Sequence, residues 1–252
     1  MINKGILEAK KIINQFGITR PNEYSLEEII AGLKGPIIKY ERLVGSEGRI
    51  VNSKEFSIIT INENSNIQRQ RFTLAHELGH YVMHRNKRLI YDTEDNFWDW
   101  NSYNQLETEA NYFAAELLMP EEIFLKYTRK EPFSIEYIKN TAKEFNTSFL
   151  ATAIRYAETG NDPIALICSQ NNLIKWFRVH RKFPFINLKM KEIHSGTLTN
   201  DYYNNKFYGT EIDIDPKSWM INSQGYEELK FIESIEVFKQ YNYILTFISI
   251  TK

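Results

Sequence analysis

Three of the chain's five histidines, His76, His80 and His84, fall within nine residues of LAHELGHYVMH, each four positions after the last. Residues four apart share one face of an α-helix, about 6 Å apart along its axis, so a helix here aims the imidazoles of His76 and His80 at a common point. Two imidazoles so placed suit a zinc ion, with Zn–N bonds of about 2.1 Å. Glu77 lies about 100° further round the helix than His76. That angle takes it out of the ligand pair and suits it to hydrogen-bond a water, so the HExxH pattern divides into two ligands and one general base. His84 lies about 12 Å along the axis from His76 and about 80° round it. A straight helix cannot bring all three to one tetrahedral ion. His84 is therefore expected at the surface or behind a ligand, at the helix C-terminus where positive charge is favoured. The metzincin pattern, with a histidine six residues after the second ligand, does not apply, because that position is Asn86.

A hydrolytic zinc site takes a third protein ligand. ETEANYFAAELLMP, Glu107 to Pro120, offers acids on a second helix. Glu107 is the expected ligand. Asn111 stands one turn further along the same face, where its amide is expected to hydrogen-bond a ligating histidine and orient it. Glu109 and Glu116 are the competing acids; Glu109 is about 200° round the helix from Glu107, so the two cannot both ligate. Ala110, Phe113, Ala114, Leu117 and Leu118 are expected to pack this helix into the core, with Ala114 and Ala115 admitting close approach. Gly79, inside the HExxH helix, lowers helix propensity by about 0.8–1.0 kcal/mol, which points to a backbone or a substrate close to that face.

The elements around these residues read as α+β. Ile6, Leu7, Ile12, Ile13 and Phe16 have helical spacing, stopped at Gly17. Ser25 to Glu28 is a capping box that opens a short helix ending by Gly35. IIKYERL and GRIVNSKEFSIITIN are strand-like, with a tight turn at Ser53 and Lys54. The HExxH helix runs from about Asn66 to Arg85. A long loop follows, with Asp92, Glu94, Asp95, Trp98, Asp99 and Trp100, and its acids read as a solvated face. The second ligand helix runs from about Tyr103 to Leu118, and Pro120 suits the first turn of another. Two more helices, Ser134 to Phe145 and Thr147 to Thr159, are joined at Asn146. This pair has a helix-turn-helix look, but its second helix offers only Arg155 as a long cation and reads as a packing helix. The breakers Gly160 to Pro163 mark the domain boundary, giving residues 1–160 and 161–252. Beyond it come two hairpins, one turning at Asn171 and Asn172 and one near the C-terminus.

A formal net charge of −1 carries none of the basic excess of a nucleic-acid-binding surface, so no direct nucleic-acid contact is expected. One cysteine, Cys168, excludes an intrachain disulfide and reads as an inert strand thiol. Met1 to Lys11 lacks the pattern of a signal peptide, and no apolar stretch approaches a membrane span of roughly 18–20 residues. A cytoplasmic location is expected, and the oligomeric state is not legible.

RQRFTLAHELGHYVMH (Arg69 to His84), followed by ETEANYFAAELLMP, resembles the ImmA/IrrE family of bacterial and phage metallopeptidases. The order of elements from about residue 5 to 160 also fits, and YNYILTFISI is similar to the family's apolar C-terminal strand. The resemblance implies a zincin-like, gluzincin-type core of N-terminal helices, small β-sheet, HExxH helix and second ligand helix. Zinc would be held by His76, His80 and the matched acid, with Glu77 as base. A β-rich C-terminal domain, sensory or regulatory, would follow. Such proteins are typically encoded beside a helix-turn-helix repressor and inactivate it by cleavage, which relieves repression in mobile-element induction or a stress response. The strand EFSIITIN is expected to be the edge to which an extended peptide adds. Of the tyrosines, Tyr81, Tyr103 and Tyr112 are near in sequence but read as packing residues, so no oxyanion donor is assigned. The alternative function is a zinc-binding regulatory protein, or half of a toxin–antitoxin pair, that acts by binding with little or no proteolysis.

Overall fold

The computed structural model describes residues 3–53, 55–85, 105–184, 193–206, 209–219 and 229–251. Among the described residues the chain forms eight α-helices and two sheets, an α+β fold. It divides into two compact units, Met1–Tyr127 with Asn140–Ala151 and Thr128–Lys139 with Thr152–Lys252. The acidic stretch 86–102 and Tyr103 lie outside the described residues.

In the first unit, α1 (Lys4–Phe16) is capped by Asn3, whose side chain accepts from the Gly5 amide, and stops at Gly17 in the left-handed region, φ 63°. α2 (Leu26–Gly32) opens with the full Ser25–Glu28 capping box. β1 (Ile37–Glu41), β2 (Gly48–Asn52) and β3 (Ser57–Asn62) form a sheet in the order β1-β3-β2, with β1 parallel and β2 antiparallel to β3. The strand expected at the edge, β3, is thus the central one. Ile59 and Ile61 on its inner face have no exposed surface, and both its hydrogen-bonding edges are taken, so it cannot accept a peptide strand.

α3 (Ile67–His84) packs on the inner face of that sheet, with Leu74, Ala75 and Leu78 in the same core as Ile59 and Ile61. Asn66 caps it by accepting from the Arg69 amide. α4 (Gln105–Leu118) lies against both α1 and α3 and contributes Phe113, Ala114, Leu117 and Leu118 to the core. Two glycines allow these approaches. A Cβ on Gly5 would sit 2.0 Å from the backbone oxygen of Glu109, so α1 meets the α4 backbone there. A Cβ on Gly79 would sit 3.0 Å from the Phe113 ring, so its close neighbour is an α4 side chain rather than a backbone or a substrate. α5 (Glu121–Thr128) begins directly after Pro120. α6 (Ile135–Phe145) and α7 (Phe149–Thr159) follow, with Asn146 between them at φ 50°.

The second unit holds a five-stranded sheet in the order β5-β4-β8-β7-β6, antiparallel throughout: β4 (Ile164–Gln170), β5 (Leu173–Val179), β6 (Glu211–Ile214), β7 (Lys230–Phe238) and β8 (Tyr243–Thr251). Asn171 and Asn172 both have positive φ, 52° and 61°, as a two-residue hairpin turn of this hand requires. Cys168 is buried in β4, and burial pushes its thiol up to about 12, out of reach of ordinary thiolate chemistry. α8 (Leu198–Tyr203) and β6 have no counterpart in the sequence reading. No helix among the described residues is long and apolar enough to cross a membrane.

Candidate metal centre

α3 turns its three histidines towards α4, and all are buried with Glu77. His76 Nε2 and His80 Nε2 are 3.0 Å apart, and Glu107 Oε2 lies 3.2 Å from the first and 3.3 Å from the second. Among the described residues this is the group of His, Cys, Asp and Glu side chains whose donor atoms converge on one point.

The donor chemistry fits a divalent cation. Asn111 Oδ1 lies 2.9 Å from His76 Nδ1, and an amide oxygen only accepts, so the His76 proton sits on Nδ1 and the Nε2 lone pair faces the cluster. The Glu107 carboxylate adds acceptor oxygens. Acceptors 3.0–3.3 Å apart in a buried site repel unless a cation lies between them. Tetrahedral zinc with bonds of about 2.0–2.1 Å spaces its ligand atoms about 3.3–3.4 Å apart, close to the observed triangle.

The electrostatics agree. Burial pushes the His80 imidazole below its ordinary value, and the neighbouring His76 and His84 add to that against the pull of Glu107; the result favours the neutral ring a metal needs. Burial pushes the Glu107 carboxyl up, but the two imidazoles that face it prevail and hold it well below the usual range, so it stands ready as an anionic ligand. Glu77 is buried where α3 meets β2: a Cβ on Gly48 would stand 3.4 Å from Glu77 Oε1 and 2.3 Å from Thr73 Cγ2.

The remaining residues singled out in the sequence fall elsewhere. Glu116 accepts from the Glu121 amide at 3.3 Å, at the start of α5. Tyr81 is half-buried against the core, with Arg85 5.2 Å from its ring centre. Of its two expected places His84 takes the one behind a ligand and not the surface: it is 1% exposed, its Nδ1 3.0 Å from His80 Nδ1 and its Nε2 3.0 Å from Glu109 Oε2. Counted from His76, its rotation round the helix is about 80°. Measured from His80 it is only about 40° round and one turn on, the spacing that lets neighbouring rings touch.

Residues 38–156 match the model of the IrrE N-terminal-like domain, a stretch that contains α3 and α4. The chain is 30% identical over 139 residues to the radiation response metalloprotease IrrE of Deinococcus radiodurans, across 55% of this chain and 41% of that protein. It is 27% identical over 123 residues to metallopeptidase ImmA of Bacillus subtilis, across 46% of this chain and 66% of that one. The matched stretches therefore span less than two thirds of these relatives' own length. A solved structure, a Mycobacterium tuberculosis transcriptional regulator, shares the fold with a TM-score of 0.58 at 11% identity, over 98% of this chain and 76% of that one.

Proposed function

We propose that the chain, whose residues 38–156 match the IrrE N-terminal-like domain, is a zinc-dependent endopeptidase of the ImmA/IrrE family whose protein substrate is a cognate helix-turn-helix transcriptional repressor. Cleavage relieves repression, in mobile-element induction or a stress response. The observation that carries the reading is the buried triangle formed by His76 Nε2 and His80 Nε2 of α3, the helix that also holds Glu77, with Glu107 Oε2 of α4. In this reading residues 1–160 are the zincin-like catalytic domain and residues 161–252 a β-rich regulatory domain.

His76, His80 and Glu107 would hold the ion. Zinc, when bound, supplies a Lewis acid that polarises a carbonyl and acidifies a water. Glu77 takes the proton from the attacking water and returns it to the leaving nitrogen of the scissile peptide. Asn111 fixes the tautomer of His76. The peptide's place is along β2, an edge strand on which a side chain at Gly48 would reach Glu77; an extended segment adds there through main-chain hydrogen bonds.

The test is co-expression with the repressor encoded beside this chain, followed by a purified reaction. Wild type removes full-length repressor, chelation stops the reaction and added zinc restores it. Glu77→Gln keeps zinc and slows cleavage by about 10²–10⁴-fold. Repressor loss that persists at the wild-type rate in Glu77→Gln, or wild-type protein that never takes up zinc, overturns the reading.

A further inference from the structure

The buried polar chain behind His80 continues beyond the three donor atoms. His80 Nδ1 faces His84 Nδ1 at 3.0 Å, and His84 Nε2 faces Glu109 Oε2 at 3.0 Å. The other Glu109 oxygen accepts from Gln105 Nε2 at 2.8 Å. His84 and Glu109 are buried, so this chain runs through protein rather than bulk water.

Proton placement along it is constrained. Glu109 accepts from Gln105 Nε2 through one oxygen and turns the other to His84 Nε2, the two-sided pairing of an accepting carboxylate. A carboxylate accepts only, so the proton facing it belongs to His84 Nε2. A neutral His84 then has a bare Nδ1, which accepts, and the donor facing it is His80 Nδ1–H. With its one proton there, His80 presents a lone pair at Nε2, the atom that faces His76 and Glu107.

We propose that His84 and Glu109 are positioning residues: they fix His80 in the Nδ1–H tautomer and hold its ring so that Nε2 is ready to ligate. The inference rests on the zinc-site reading above. It gives the two ligand histidines different supports, an amide from α4 for His76 and a second imidazole backed by a carboxylate for His80. It also accounts for a third histidine that cannot itself reach the ion, and for an acid, Glu109, that is buried without joining the donor triangle.

The experiment compares wild type, His84→Gln, His84→Phe and Glu109→Leu as full-length chains. Zinc affinity is read by chelator competition, and imidazole ¹⁵N shifts are read in the metal-free proteins. Glutamine can accept from His80 and donate to Glu109; phenylalanine can do neither. The expected result is zinc binding about 10–100-fold weaker in His84→Phe and Glu109→Leu, with His84→Gln within about threefold of wild type. Wild-type His80 shows its proton on Nδ1, and His84→Phe shows a mixture of tautomers. Equal losses in His84→Gln and His84→Phe, or unchanged affinity in both, overturn the proposal, because then shape alone or nothing at this position matters. Wild-type His80 protonated at Nε2 overturns it without any variant. If wild type itself binds no zinc, the zinc-site reading fails as well, an outcome distinct from wild type and variants binding equally.

Discussion

Asn111 Oδ1 accepts the Nδ1 proton of His76 at 2.9 Å, from the same helix that brings Glu107 Oε2 to within 3.2 Å of that ring's other nitrogen. One helix thus supplies both an acid for the cluster and the group that orients an imidazole on its neighbour. The pairing follows from i, i+4 spacing on α4, which puts Glu107 and Asn111 one above the other and facing α3.

Replacing Asn111 by leucine keeps most of the volume and removes the acceptor. The buried Nδ1–H of His76 is then unsatisfied, at about 1–3 kcal/mol of stability. Its tautomer is no longer fixed, and zinc affinity falls by about 10–100-fold. Asn111→Asp retains an acceptor and binds zinc at least as tightly as wild type. Denaturant unfolding and chelator competition on the same samples check both parts; an Asn111→Leu protein with wild-type affinity contradicts the assigned role.

How much of this was legible in the chain depends on the range of the interaction. The spacing of His76 and His80 on a helix, the i, i+4 pair of Glu107 and Asn111 on a second helix, and the paired asparagines of the β4–β5 turn are local features, and periodicity reports them directly. Strand order in the first sheet is not local. β3 was expected at an edge because it precedes the zinc helix, yet its near-continuous apolar run, SIITI, was itself a sign of a strand enclosed on both sides. α8 and β6 are six and four residues long, too short for either period to register. From the sequence Glu109 competes with Glu107 for the ion from another face of the helix; that it meets His84 instead depends on how two helices cross, which no single-helix argument supplies.

The contact between β2 and α3 gives a second prediction. Gly48 has no room for a side chain, since its Cβ would meet Thr73 Cγ2 at 2.3 Å and reach contact with Glu77. Gly48→Ala forces β2 away from α3. The expected loss is about 1–3 kcal/mol of stability, with hydrolysis slowed about tenfold or more as Glu77 and the peptide edge separate. Thr73→Ser removes the obstructing methyl and keeps the hydroxyl. It is close to neutral alone and restores most of both losses in the double variant, a coupling of about 0.5–3 kcal/mol. A double-mutant cycle in thermal unfolding and turnover measures this, and strict additivity refutes the proposed steric cause.

The last prediction concerns Glu233 in β7 of the second unit. Its carboxyl is fully buried and accepts from the Leu198 amide at 3.0 Å, the Thr199 amide at 2.9 Å, Thr199 Oγ1 at 2.7 Å and Trp219 Nε1 at 3.2 Å. Burial pushes this carboxyl above its ordinary value, and the four donors reduce that rise without cancelling it. A carboxyl raised in the folded state binds its proton more tightly folded than unfolded. Its contribution to stability is therefore largest at low pH and declines as pH climbs from about 4.3, the ordinary glutamate value, through the raised folded value. Glu158, likewise raised by burial against the pull of Arg178 and Arg155, contributes a slope of the same sign. Glu233→Gln cannot ionise, so it should flatten part of the decline and leave the Glu158 share. It should also lower stability at every pH, because its amide nitrogen faces donors. Amide hydrogen exchange in β7 and β8 across this pH range reads the effect locally, and parallel pH profiles for wild type and variant would show that Glu233 ionises no differently in the folded and unfolded chain.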